Sequence, residues 1–308
     1  MANVNSYYLY QKYEKRGDQP WIQVYPSTYS ADGDGTMPLV VKQLNDPACG
    51  ASRFVLTLND SSVIVGECST TSAVTSGETS QYSGTATSVL FGTCCKTISG
   101  RVFNNASNLS SVTFSDSVTS IGSRAFRKCY ALTNITFPNS LTSIGEGAFQ
   151  TCTGITSLSI PSGTTSIDTN PFQACSGLTS ITVDSNNAVY DSRDNCNAII
   201  NSSTNSLICG CKNTVIPSTV TSIGNYAFSY CKGLTSITVP SGVASIGDYG
   251  FNYCTNLTSL TIEAVSPPTL GNYSLNKTND CVIYVPAESV SAYQSAWSDF
   301  ANRIQAFS

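Results

Sequence analysis

Residues 121–137 read IGSRAFRKCYALTNITF, and residues 144–160, one step of 23 positions later, read IGEGAFQTCTGITSLSI. Both stretches carry Ile-Gly, then Ala-Phe, then Cys, and both end in alternating apolar residues. The phenylalanine position recurs along the chain at Phe103, Phe126, Phe149, Phe172, Phe228 and Phe251. Three residues after these come Ala106 in the first copy and then Cys129, Cys152, Cys175, Cys231 and Cys254. Recurrence at a fixed period of this length indicates a repeat protein.

Each repeat predicts a short helical turn around the phenylalanine and cysteine, followed by a β-strand. In the second half of the unit Ile135 and Phe137 alternate with Asn134 and Thr136, which predicts a strand with its apolar side chains inward. One such unit leaves its apolar layer uncovered, whereas stacked units cover each other. The sequence therefore predicts a solenoid with about nine parallel strands, in which the phenylalanines and cysteines form a structural ladder.

The period divides the chain into three parts. Residues 1–86 do not repeat, and short apolar runs such as Tyr7–Tyr10 and Phe54–Leu56 predict a small N-terminal β-module or hairpins that cap the solenoid. Residues 69–88 are rich in Ser, Thr and Gly and predict a linker or a loose strand. Residues 87–265 are expected to form the solenoid, beginning with the strand Val89–Phe91.

The solenoid pattern is interrupted once and then ends. Cys175 and Cys231 are 56 residues apart instead of 23, which predicts a projecting β-hairpin over about 184–213 and an extra rung at Val215–Pro217. Residues 266–308 predict a last rung and a capping helix over Ala287–Phe300.

Composition removes several functional classes. The chain has no histidine, only 11% charged residues and a net charge of −4, without a Lys/Arg cluster. We therefore expect no nucleic-acid partner, no metal, no cofactor and no catalytic residues. No apolar run is long enough to span a membrane, and the first residues do not resemble a signal peptide. Residues 32–36 favour a turn over a calcium loop, and Cys49 and Cys68 could pair.

One cluster of aromatic residues indicates a binding surface. Tyr226 and Tyr230 are four residues apart in the predicted helical turn, and Tyr249 and Tyr253 occupy the same positions one coil later. Helical spacing predicts a single exposed patch of four rings, suited to a protein partner or a glycan. The alternative is that the rings pack between coils. The outward strand positions carry hydroxyls, which suits a solvated surface or a sugar-binding template.

The pattern Ile-Gly-x-x-Ala-Phe-x-x-Cys-x-x-Leu-x-x-Ile is complete at Ile121–Ile135 and Ile223–Ile237. It resembles the BspA-like leucine-rich-repeat family over about residues 87–308. The resemblance implies a right-handed α/β solenoid with a parallel β-sheet and short helical turns, without common catalytic residues. It also implies a protein used in adhesion or recognition on a bacterial surface or a phage particle.

We therefore expect a non-catalytic recognition protein, extracellular, at the cell surface or associated with a virion, which presents its repeat surface to a protein or glycan. One alternative is a carbohydrate-binding protein or a glycan-active enzyme that uses the tyrosine patch. Another is a structural spacer, for which the N-terminal module could provide oligomerisation.

Overall fold

The computed structural model describes residues 22–24, 53–61, 63–67, 73–93 and 95–307. The expectations for residues 7–10, residues 32–36, Cys49 and Cys68 lie outside this part. The described chain winds into coils, most of which have a long strand on one side and a two-residue return strand on the other. The predicted leucine-rich-repeat solenoid is therefore confirmed. The strand predicted around Ile135 and Phe137 does not form, and only a bridge at Asn134 stands in its place.

The long strands form three separate groups rather than one sheet of nine. Their bounds are Ala86–Phe91, Ser111–Thr113, Ser157–Ile160, Ser180–Val183, Ser236–Val239, Ser259–Ile262, Val282–Val285 and Ile304–Ala306. Parallel pairing joins the first two, the next two and the last four. Between the first two groups the pairing is reduced to a bridge from Ser111 to Asn134.

The return strands form a second parallel layer that the sequence did not reveal. Their bounds are Ala73–Val74, Thr97–Ile98, Ser120–Ile121, Ser143–Ile144, Ser166–Ile167, Ser222–Ile223, Ser245–Ile246 and Thr269–Leu270. Ser120 pairs with Ser143, and Ser143 with Ser166, so neighbouring coils are 23 residues apart. Because parallel ladders keep this register, equivalent side chains of successive coils lie next to each other.

The hairpin in the interruption belongs to the fold and does not project from it. Ala198–Asn201 pairs antiparallel with Ser206–Gly210 and with Tyr190–Asp191, and Ser206–Gly210 pairs in parallel with Ser222–Ile223. Ile199 and Ile200 are fully buried. The hairpin faces the core because its strands are apolar on both sides. A 3-10 turn, Arg193–Asn195, precedes it. The extra rung predicted at 215–217 is not a strand, and Val215 is 73% exposed.

The N-terminal part continues the sheet of the first coil. Arg53–Leu58 pairs antiparallel with Ala86–Phe91 and with Val63–Glu67, which in turn pairs with Ile22–Val24. A linker was predicted over 69–88, but its described portion forms a coil. Ala73–Val74 pairs in parallel with Thr97–Ile98, followed by the one-turn helix Ser76–Thr79 and a 3-10 turn over Ser80–Tyr82.

The C-terminal cap contains the predicted helix and one strand more. Helical structure runs as 3-10 over Ala287–Ser289, α over Val290–Ala296 and 3-10 over Ser298–Arg303. Tyr293 Oη donates to the Ala264 carbonyl at 2.7 Å, and Trp297 Nε1 donates to the Pro268 carbonyl at 3.0 Å. These bonds hold the cap against the preceding coil. The chain then returns as Ile304–Ala306.

The apolar core is divided at the hairpin into two clusters, with Phe172 in the first and Phe228 in the second. In the first cluster Phe103, Phe126, Phe149 and Phe172 stack successively, with ring centroids 5.6, 5.2 and 5.7 Å apart. In the second, Phe228 stacks on Phe251 at 4.9 Å. The aromatic ladder is thus interrupted where the hairpin enters.

Candidate binding site on the turn side of the coils

The turn side is the segment of each coil that carries the phenylalanine and cysteine, and it is not helical. In one coil Ala125, Arg127 and Cys129 each donate their backbone N–H to the carbonyl three residues earlier. The N–H groups of Arg124, Phe126 and Lys128 instead donate to Glu146, Ala148 and Gln150 of the next coil, at 2.9, 2.7 and 2.8 Å. The segment is therefore a run of tight turns joined to its neighbour by a backbone ladder.

This alternation places two residues of each coil in the left-handed region, with φ between 46° and 66°. We call the two sets the left-handed columns. The first contains Arg101, Arg124, Gly147, Asn170, Tyr226, Tyr249 and Tyr273. The second contains Asn105, Lys128, Thr151, Ala174, Tyr230, Tyr253 and Lys277. A side chain at such a position costs about 1–2 kcal/mol relative to glycine, yet only Gly147 is a glycine.

The four tyrosines predicted to form one patch lie in two separate stacks. Tyr226 stacks on Tyr249 with centroids 4.8 Å apart, and Tyr230 stacks on Tyr253 at 4.6 Å. All four are partly exposed. Tyr273, which is 63% exposed, extends the first stack at 5.3 Å from Tyr249. The sequence reasoning missed it because this coil is one residue longer, although the Ile-Gly and Leu-Gly pairs at 246 and 270 could have shown the shift.

A polar column runs beside the left-handed columns. Arg127 Nε donates to Gln150 Oε1 at 2.8 Å, Gln150 donates to Gln173, and Gln173 Nε2 donates to Ser229 Oγ at 3.1 Å. Asn252 follows in the next coil, where it is 5% exposed. Its Oδ1 is buried without a hydrogen-bond partner. Asn104 Oδ1, one coil before Arg127, is likewise buried without a partner. An unsatisfied buried acceptor is costly, so this column combines strong internal bonding with two unsatisfied positions.

The hairpin creates a seam between the coils of Phe172 and Phe228. Ala174 N–H still reaches the Ser229 carbonyl at 3.3 Å, but the Ala227 carbonyl accepts from Gly210 N–H at 2.9 Å. In a regular coil that bond comes from the phenylalanine. A narrow cavity of about 20 Å³ remains at the seam, lined by both coils and by the end of the hairpin. It has room for about one water molecule, so a larger ligand would contact the rim.

The cysteine column provides hydrogen bonds as well as packing. The thiols of Cys129, Cys152 and Cys175 donate to the phenylalanine carbonyls of the preceding coil, at 3.3, 3.0 and 3.2 Å; these acceptors are Phe103, Phe126 and Phe149. Cys254 makes the same bond at 3.1 Å. Burial raises the pKa of Cys231 to about 12. These thiols are free, and within the described ranges no three Cys, Asp or Glu residues are grouped to hold a metal ion.

The coils, their ladders and their 23-residue register define a leucine-rich-repeat protein. A model of the BspA type leucine-rich repeat region matches six copies over residues 78–200 and 198–305. The match covers more than half of the chain, which therefore belongs to this family. Proteins of the family are generally non-enzymatic binding proteins. In the described part of the chain, no helix has the length and apolar character needed to cross a bilayer.

Several solved structures are similar to this chain. A leucine-rich cell surface protein from Faecalibacterium prausnitzii A2-165 is 25% identical, with 70% of each chain covered and a TM-score of 0.49. A leucine-rich-repeat protein from Eubacterium ventriosum is 22% identical, with 65% of this chain and 73% of the other covered and a TM-score of 0.47. The pneumococcal vaccine antigen PcpA is 15% identical, with 72% and 79% covered and a TM-score of 0.45. No curated protein matches the chain.

Proposed function

We propose that the chain is a non-catalytic recognition or adhesion protein that binds a protein or glycan through its turn side. We further propose that it acts outside the cell, on a bacterial surface or a phage particle. Tail genes beside its gene would support the phage particle, and a lipoprotein leader in a longer reading frame would support the cell surface.

The observation that carries the proposal is the pair of tyrosine stacks. Tyr226, Tyr230, Tyr249 and Tyr253 all occupy backbone positions that favour glycine. Stacking recovers only about 0.5–1.5 kcal/mol per pair, which is comparable to the cost of the left-handed conformation. Packing alone therefore gives little reason to keep large rings there. Partly exposed tyrosines in a cluster are typical of binding hot spots.

Two alternatives use the same residues differently. One observation favours a carbohydrate-binding protein or glycan-active enzyme. Among the described residues, Tyr226 and Tyr230 each stack on one ring, that of the next coil. A structural spacer, with oligomerisation through the N-terminal module, would need no ligand. Binding without turnover would support the recognition protein, and turnover of a bound glycan would support the glycan-active enzyme. Neither binding nor turnover would support the structural spacer.

The test compares the wild type with the double variant Tyr230→Ala/Tyr253→Ala. Both are applied to a glycan array and to a panel of immobilised extracellular proteins, and every bound glycan is tested for hydrolysis. We expect the double variant to lose at least about tenfold in affinity, as expected for removal of a hot spot, without turnover by either protein. Its melting temperature should fall by no more than a few degrees, because stacking of about 1 kcal/mol is lost.

The matched control is Tyr130→Ala, since Tyr130 is 44% exposed and lies outside the left-handed columns. This variant should bind like the wild type. Unchanged binding by the double variant would reject the tyrosine stacks as the site. Hydrolysis of a bound glycan would reject the non-catalytic assignment.

A further inference from the structure

The tyrosine stacks begin at the seam, and their first rings have an open side. Tyr226 and Tyr230 stack on Tyr249 and Tyr253 at interplanar angles of 6° and 2°. In the preceding coil the equivalent residues are Asn170 and Ala174, so no aromatic ring covers the opposite faces. The pKa of Tyr226 is raised by burial and then by Tyr249, Asp248 and Glu146.

Beyond the first rings the turn side is lower for two coils. The left-handed columns there contain Asn170 and Ala174, then Gly147 and Thr151. Larger side chains return one coil further on, at Arg124 and Lys128. Successive coils are 5.2 and 5.7 Å apart at the phenylalanines of this region. At the spacing of parallel strands, the backbone of the tyrosine coil is about 15 Å from that of the cation coil. The Arg124 side chain reaches into this depression beside Gly147 and pairs with Glu146.

The far end of this depression is cationic. Arg101, Arg124, Arg127 and Lys128 account for four of the 15 Lys and Arg residues in a chain whose net charge is −4. Arg124 pairs with Glu146 at 2.8 Å. For Arg101 and Lys128, no carboxylate in the described part of the chain forms an ion pair. The end therefore retains positive charge for a ligand anion.

The depression offers side chains to a ligand, because its backbone groups are already hydrogen-bonded. The N–H groups of Phe149 and Thr151 already donate to Pro171 and Gln173 of the next coil, each at 2.8 Å. A peptide that binds as an added strand needs free backbone donors and acceptors, and this ladder uses them. Gln150 and Gln173 lie between the two ends, and each amide nitrogen uses one N–H in the polar column. The second N–H of each amide suits a hydroxyl group.

We propose that this depression, formed by Lys128, Gln150, Gln173, Tyr226 and Tyr230, binds an acidic glycan. Sugar rings lie against the open faces of Tyr226 and Tyr230, and a carboxylate or sulfate lies at Lys128 and Arg124. Amide groups of Gln150 and Gln173 contact hydroxyls between these ends. The inference rests on the proposed recognition function and names the chemistry of its ligand.

Calorimetric titration of the full chain tests it with three acidic probes, namely trigalacturonic acid, sialyllactose and a heparin tetrasaccharide. Galactotriose and lactose serve as neutral probes, and triglutamate is the acidic peptide probe. We expect at least one acidic sugar to bind about tenfold more tightly than the neutral sugars, as one charge-assisted hydrogen bond would give. Lys128→Gln should remove this preference but keep neutral binding, and added salt should weaken it.

The matched control is Lys277→Gln, because Lys277 occupies the same left-handed column at its other end. Equal loss in that variant, no preference for any acidic sugar, or equally tight binding of triglutamate would overturn the inference. If Tyr230→Ala still removes binding of proteins or neutral glycans, the recognition function stands and only the acidic ligand is rejected. If no binding depends on Tyr230, both proposals are rejected.

Discussion

Replacing Gly210 with alanine should destabilise the seam that positions the first tyrosines. A β-carbon built at Gly210 would lie 2.1 Å from Phe228 Cε1 and 2.5 Å from Cζ. Phe228 is 1% exposed and stacks on Phe251 at 4.9 Å, so its ring has little space to move. Overpacking of a core costs about 1–3 kcal/mol, and contacts this short favour the upper part of that range. For a chain of this size, the melting temperature should fall by about 3–5 °C.

Circular dichroism during heating measures the change, and hydrogen exchange at the amide of residue 210 shows whether its bond to Ala227 opens. Gly84→Ala is the control, because its added methyl has no neighbour within 4 Å. That variant should keep its stability or gain about 0.4–1 kcal/mol through the unfolded state. In a chain of this size even 1 kcal/mol lowers the melting temperature by about 1.5 °C. A Gly210→Ala protein that melts within about 1 °C of the wild type would therefore refute the contact with Phe228.

Two further predictions concern the turn side. Thr151→Gly should raise the free energy of unfolding by about 1 kcal/mol, because Thr151 has a φ of 64° and glycine removes the left-handed penalty. Urea unfolding measures this change, and a destabilised variant would contradict the left-handed conformation of residue 151. The pKa of Cys231 is raised from 9.0 to about 12 by burial, so the folded state favours its neutral thiol. The resulting stability is complete below pH 9 and lost as the pH rises toward 12. Melting temperature against pH should decline above pH 9, with a smaller slope in Cys231→Ala, and equal slopes would contradict it.

The repeat could be predicted from the sequence because its period of 23 residues determines how the coils stack. Parallel strands in constant register place residues 23 apart side by side, so Phe126, Phe149 and Phe172 in one sequence position become one stack. The spacing of Leu and Ile residues alone would not distinguish one continuous stack from several separate cores. The same recurrence predicted the long strands that follow Cys152, Cys175, Cys231 and Cys254, but not the loss of the strand after Cys129. It also predicted the capping helix with Tyr293 and Trp297.

The backbone conformation of the turn side could not be predicted from the sequence. A left-handed position is normally recognised in a sequence by glycine or asparagine, but most positions of the left-handed columns carry Arg, Lys, Thr or Tyr. A spacing of four between Tyr226 and Tyr230 therefore indicated a helix and a single patch. The structure has a ladder of turns, and the tyrosines stack along the solenoid in two columns.

The sequence by itself determined the coil, its period and which side chains enter the core, because these follow from local alternation and exact recurrence. Only the tertiary structure decided how the chain is arranged where the 23-residue repeat is interrupted. The burial of the hairpin, the final strand Ile304–Ala306 and the seam at Gly210 depend on contacts between segments that share no pattern. The position of Arg124 and Lys128 relative to Tyr226 and Tyr230 depends on them too. About a hundred residues separate these side chains in the chain, but three coils separate them in space, because the hairpin leaves the turn sides of the coils on either side in contact.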